Sequence, residues 1–216
     1  GRRKERMRKS YVWRWIFFIV GLFVLGLGFA MTVKAKVLGV GPWEVLSDGL
    51  SLQIGGTIAF WTSGVGFIIM VITALVLKEW PKIGTWLNMI LIGVFRGMFV
   101  RILPDPSPGI STWLMFFGGV IVISIGVGMY VSPRLGAGPR DYLMIVLNEK
   151  FGWSIRASRT LVEVLAAVTG WLLGGVAGVG TIIVALGVGP LIQWFLPWWR
   201  RGMQWYRLRE TRRLAR

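Results

Sequence analysis

Neither cysteine nor histidine occurs among the 216 residues. That excludes disulfides, thiolate and imidazole metal ligands, Cys and His nucleophiles, and the usual proton shuttle of neutral pH. Acidic residues are scarce as well, nine in all. Most lie at the edges of apolar runs, so a clustered carboxylate metal site is not expected. No glycine-rich stretch continues into a Walker or dinucleotide-binding motif. An enzyme would have very few groups to work with, and the expectation is a chain without enzymatic activity or cofactor.

Apolar residues are what the chain has in abundance. They make up 55% against 16% charged, with a mean hydropathy of +0.65, which places the chain in a bilayer rather than in water. A spanning helix needs about 20 such residues. Six runs approach that length, at 12–33, 57–77, 83–100, 111–131, 155–173 and 176–196. The first is too long for the apolar core of a cleaved signal peptide and reads as a span. The predicted fold class is therefore an all-α polytopic membrane protein with six transmembrane helices.

The net charge of +16 would suggest nucleic acid if it were spread over the chain, but it is concentrated at the ends. Residues 1–14 hold seven Lys or Arg against Glu5, and residues 200–216 hold seven Arg against Glu210. The loops 78–82 and 134–156 are net positive, whereas 34–56, 101–112 and the turn at Gly174 and Gly175 are close to neutral. Positively charged loops stay cytoplasmic, so both termini are expected inside. The basic ends are suited to anionic lipid headgroups, each residue contributing about 1 kcal/mol near the surface. Nucleic-acid binding is not expected.

A repeat organises the rest. Leu38-Gly39-Val40-Gly41-Pro42 returns as Leu135-Gly136-Ala137-Gly138-Pro139, and with the same offset Glu44 meets Asp141, Leu46 meets Leu143 and Gly55 meets Gly152. One residue less of offset matches Gly84, Thr85 and Gly93 to Gly180, Thr181 and Gly189. The chain divides into a basic tail (1–11), a first repeat (12–103), a proline-rich linker (104–110), a second repeat (111–197) and a second basic tail (198–216). A unit with three spans, copied head to tail, places its second copy upside down, which gives inverted repeats with a shared site near the midplane.

After the first span of each repeat comes a short segment, 43–54 or 140–151, opened by Gly-x-Gly-Pro. Pro42 and Pro139 suit the first helical position. Glu44 and Asp141 follow in the first turn, where the helix dipole favours a carboxylate, and Gly55 and Gly152 stop the helices. Two readings stay open. Either these are amphipathic helices lying in the interface with Glu44 and Asp141 as N-terminal caps, or they are re-entrant half-helices that aim Gly41 and Gly138 at a central site. In the second case the backbone N–H groups would favour an anion, while the two acids would favour a cation.

Charged residues within the spans supply the site candidates. Arg156, Arg159 and Glu163 share one face of the fifth span, and a central charge costs about 2.5 to 3.5 kcal/mol on insertion scales unless it is paired or faces a cavity. Arg159 and Glu163 have the spacing to pair, so Glu163 is either an ion- or proton-coupling acid or one half of a structural pair. Arg101 is expected to snorkel to the interface. Arg96, about one turn deeper, either snorkels too or meets Glu163, Asp48 or Glu44. Asn88 and Gln193 either bond a neighbouring helix or touch a ligand. Trp13, Trp15, Trp194, Trp198 and Trp199 read as an interfacial belt, and Trp43, next to the repeated Gly-Pro, as a candidate cavity residue. The glycines of the first, second and fourth spans suggest close packing; Gly93, Gly187 and Gly189 with Pro190 suggest kinks.

Three stretches together, Gly39 to Leu46, Leu135 to Asp141 and Arg159 to Glu163, with Gly170 to Gly175 and Gly178 to Thr181, resemble the bacterial YczE/YitT-like membrane proteins. The resemblance runs from the first span to about Gln193. It implies a multi-pass protein of the bacterial cytoplasmic membrane, with transport as an expected role for some members, and it carries over no catalytic residue. The leading expectation is a small secondary transporter or exporter for a small-molecule or ion substrate, with Glu163, Arg159, Glu44, Asp141, Gly41 and Gly138 at the site. Six short spans enclose little volume, which makes a homodimer one expected assembly. The alternative is a membrane scaffold that recruits a cytoplasmic enzyme or anionic lipid through its basic ends.

Overall fold

In hydrocarbon a backbone must satisfy its own polar groups, so each long apolar run closes on itself as a helix. The computed structural model describes the backbone of residues 2–214, and the side chains of residue 5 and residues 7–204 within it. Eight α-helices follow one another: α1 (Arg2–Lys34), α2 (Pro42–Ile54), α3 (Ile58–Leu77), α4 (Ile83–Ile102), α5 (Ile110–Val131), α6 (Pro139–Phe151), α7 (Ile155–Leu172) and α8 (Val179–Leu214), with one 3₁₀ turn at Lys36–Leu38. No strand occurs among the described residues.

Local chemistry sets the boundaries. The Thr57 and Ser154 side chains accept the backbone N–H groups of Phe60 (3.1 Å) and Ala157 (3.0 Å), capping α3 and α7. Pro42 and Pro139 open α2 and α6, and Gly55 and Gly152 end them at positive φ, +93° and +69°. Helix α4 runs unbroken through Gly93, and α8 through Gly187, Gly189, Pro190 and Pro197, so of the kink or unwinding open to these positions, unwinding does not occur. Helical structure also extends into both basic ends. Much of the expected lipid contact falls on side chains outside the described residues.

Among the described residues five helices are long and apolar enough to cross a membrane: α1, α3, α4, α5 and α8. Of the six expected spans, α7 falls short on these criteria because Arg156, Arg159 and Glu163 sit within its 18 residues. Arg159 and Glu163 are buried between helices, which is how a charged helix escapes contact with lipid.

Helices α1 and α5 form the central pair and cross antiparallel. Gly21 lies against Tyr130 and Gly28 against Ile123; in return Gly126 lies against Leu25 and Gly119 against Thr32. A Cβ on Gly28 would come within 2.6 Å of the Ile123 nitrogen. Small residues are needed because, without water to expel, close packing is the main source of helix association in lipid.

Around this pair the two halves exchange equivalent contacts. The start of α4 packs on the loop after α5, with Gly84 N–H donating to the Leu135 oxygen at 3.1 Å and Gly136 against Thr85. The start of α8 packs on the loop after α1, with Gly39 against Gly178 and Thr181 Oγ1 donating to the Val40 oxygen at 2.6 Å. Helix α4 also packs on α1 as α8 does on α5. Two equivalences are uneven, both at α3: α2 packs far more closely on α7 than α6 does on α3, and α7 and α8 pack closely whereas α3 and α4 do not.

The ends of the bundle differ in charge. At one end Arg14 Nε donates to the Pro133 oxygen (2.9 Å), Lys82 Nζ to the Arg134 oxygen (3.3 Å), and Arg134 pairs with Glu149 (3.2 Å). At the other, Lys34 pairs with Asp105 (2.9 Å), Gln53 donates to the Leu173 oxygen (2.9 Å), and Asp48 accepts the Val176 N–H (3.1 Å). Helix α2 therefore has its C-terminus at the second end, while its first turn reaches the middle of α7, where Trp43 clusters with Val162 and Ala166. Helix α6 has its C-terminus at the first end, through Glu149, and its first turn also meets the middle of α7, at Arg159. The two short helices thus approach each other N-terminus first.

Candidate functional site

Three helices bring a charged cluster together. Asp141, in the first turn of α6, accepts from the Tyr130 hydroxyl at the end of α5 on one carboxylate oxygen and from Arg159 Nη1 on the other. The same tyrosine oxygen accepts the Gly138 N–H at 3.1 Å, fixing the N-terminus of α6. Arg159 Nη2 reaches Glu163, one turn further along α7, at 2.7 Å. Asp141, Arg159 and Glu163 are 8%, 4% and 2% exposed, so water contributes little to their solvation. A buried group of this kind is weak evidence for stability as such, but removing one member strands the others.

A second pair lies nearer the surface. Arg96 of α4 meets Glu44 of α2 at 2.8 Å, with both side chains partly exposed. Of the three acids that the sequence left open as partners, Glu44 is the one that takes Arg96. Two residues at equivalent places in the repeats, Trp43 and Arg140, meet each other: the guanidinium carbon of Arg140 lies 5.3 Å from the Trp43 ring centroid, a cation–π contact.

A cavity of about 170 Å³ opens beside this contact, in the gap between α3 and α4. Its polar wall includes Trp43, Asn88, Arg140, Asp141 and Arg159; its apolar wall comes from α1, α3 and α4. A water molecule occupies about 30 Å³ in the liquid, so there is room for about five waters or a small organic molecule. Two residues of the wall each carry a donor, Trp43 Nε1 and Arg159 Nε, that is buried without a hydrogen-bond partner. A second cavity of about 220 Å³ lies toward the basic end, lined by Lys82, Tyr142, Glu149 and Arg200, and Pro139 belongs to the walls of both.

The sequence candidates divide accordingly. Trp43, Asn88, Gly138, Asp141 and Arg159 line the inner cavity, with the Asn88 carboxamide packed against Gly138. Glu163 stands behind Arg159. Glu44, Arg96 and Gly41 lie outside the wall, Gly41 serving as the N-cap of α2. Gln193 accepts the Arg156 backbone N–H at 2.9 Å and so ties α8 to the start of α7. Two residues of the site were missed. Tyr130 reads as one more apolar position at the end of a span; the signal was a hydroxyl facing the Gly-x-Gly-Pro turn. Arg140 reads as part of a basic loop; the signal was its position equivalent to Trp43.

The match to the protein family of unknown function DUF6198 extends over residues 12–197. The uncharacterized membrane protein YczE of Bacillus subtilis (strain 168) is 40% identical over 191 residues, covering 88% of this chain and 89% of that protein. An uncharacterized protein of Haemophilus influenzae is 36% identical over 181 residues, covering 82% of this chain and 81% of its own. The uncharacterized protein YyaS, also of Bacillus subtilis (strain 168), is 24% identical over 187 residues, covering 85% and 92%. No solved structure matches. With a multi-pass helical architecture and a family match across nearly its whole length, this chain belongs to the DUF6198 family of YczE-like bacterial membrane proteins.

Proposed function

We propose that this protein is a small secondary transporter of the bacterial cytoplasmic membrane, built from two inverted three-helix repeats and working by alternating access. In this reading α7 is the sixth span, both termini are cytoplasmic, and the basic end of the bundle is the cytoplasmic one. The antiparallel crossing of α1 and α5 and the reciprocal contacts of the α4 and α8 starts support a two-fold relation in the membrane plane. Short helices meeting N-terminus first are the expected frame of a midplane site in such folds.

One observation carries the mechanism: α7 and α8 are closed while the equivalent α3 and α4 are apart, with the cavities in between. If the repeats exchange conformations, α3 closes on α4 as α8 leaves α7, and the site turns to the other face. An ion gradient supplies the energy, since no nucleotide motif is present, and Glu163 with Arg159 is the coupling pair.

The natural absence of cysteine makes the test clean. A Ser63→Cys variant puts a thiol in the wall of the inner cavity. A membrane-impermeant maleimide should label it from each face as the protein turns over, at rates that change in opposite directions with the ion gradient. Labelling from one face only, under every condition, would exclude alternating access; equal labelling from both faces together with ion conduction would indicate a channel.

A further inference from the structure

We infer that the inner cavity binds a small organic anion, a carboxylate with an apolar body, with Arg140 as the principal contact and Trp43 beside it. This rests on the transporter reading, whose substrate class it supplies. The argument starts from which hydrogen-bonding capacity is already used. Both carboxylate oxygens of Asp141 are occupied, by Tyr130 and Arg159, and Glu163 holds Arg159. Glu44 is taken by Arg96. Each of these acids is thus paired with an arginine, which weakens the ready-made cation site that Glu44 and Asp141 suggested.

What remains open is donors. Arg140 carries five N–H groups and forms no hydrogen bond or ion pair among the described residues; its one close partner is the face of Trp43. Trp43 is 8% exposed and Arg159 4%, yet Trp43 Nε1 and Arg159 Nε have no acceptor. Unmet donors at buried positions are costly, and all three residues line one cavity. The first turn of α6 adds the positive end of its dipole. The rest of the wall is mainly hydrocarbon, Leu25, Phe29, Ile69 and Ile92 among it, with the hydroxyls of Ser47, Thr62 and Ser63 beside them. At ordinary packing density, about 170 Å³ holds roughly nine heavy atoms, the size of benzoate.

Charge adds a condition. Three cations, Arg96, Arg140 and Arg159, face three acids, Glu44, Asp141 and Glu163, with Tyr130 neutral. A bound carboxylate leaves this set one charge negative, so a neutral complex needs a counter-cation carried with it.

The test uses the full chain, purified in detergent, with benzoate, hexanoate, benzamide and benzylamine as probes read by tryptophan quenching and thermal unfolding. Benzoate or hexanoate should bind saturably and raise the unfolding temperature, and benzamide and benzylamine should not. Arg140→Gln should weaken benzoate binding tenfold or more while the variant still folds and unfolds cooperatively, and Arg140→Lys should recover part of it. Binding of benzylamine in preference to the acids, failure of both acids to bind, or an affinity indifferent to Arg140 would overturn the proposal. Arg140-dependent binding without uptake into proteoliposomes would leave the anion site standing and remove transport. Uptake of another solute without carboxylate binding would do the reverse.

Discussion

Arg159 joins the two buried acids of the site: it holds Asp141 on one nitrogen and Glu163 on another. Replacing it with Met should cost about 3 to 5 kcal/mol, because two buried carboxylates lose their counter-charge. Equilibrium unfolding in mixed micelles should show the loss largely recovered when Asp141→Asn and Glu163→Gln are added, a coupling that independent sites would not give. Tyr130→Phe, which removes a single bond to a charged group, should cost less, about 1.5 to 3 kcal/mol. The Arg159–Glu163 pair was legible in the sequence because four-residue spacing on a helix fixes proximity. Asp141 joining it was not, since that depends on α6 entering the bundle beside α7, a tertiary fact that no local pattern encodes.

At the scale of elements, glycine has two kinds of place in this bundle. Gly28 is wedged between the central helices, where a Cβ would meet the Ile123 backbone, while nothing lies near Gly187 on α8. Gly28→Val should therefore lose about 1 to 3 kcal/mol through overpacking. Gly187→Ala should be neutral or gain up to about 1 kcal/mol from helix propensity, and the same unfolding assay distinguishes the two. The sequence put Gly28 among packing glycines and Gly187 among candidate kinks, but it did not show what either faces, because helical periodicity places a residue in a helix without naming its neighbour. The short helices were clearer: Gly-Pro entry and glycine exit placed α2 and α6 to within a residue at each start. Whether they lay flat or pointed inward was undecided, because their sequences are apolar enough for either.

At the scale of the whole molecule, the repeat was the most legible feature and its asymmetry the least. Matching motifs told which positions correspond, from Gly39 and Gly136 to Thr85 and Thr181. They could not tell that α3 and α4 stand apart while α7 and α8 touch, since that is a choice of conformation rather than of residues. Because exchange between these two arrangements is the central claim, distances across both helix pairs test it most directly. Spin labels at positions 64 and 93 report on α3 and α4, and labels at 161 and 187 on α7 and α8; all are sites where a label has space or partial exposure. In lipid nanodiscs, pulsed electron resonance should find two populations for each pair, and a benzoate titration or change of pH should shift them reciprocally, the first pair shortening as the second lengthens. A single unshifting distance for each pair, or two pairs that open together, would contradict the account.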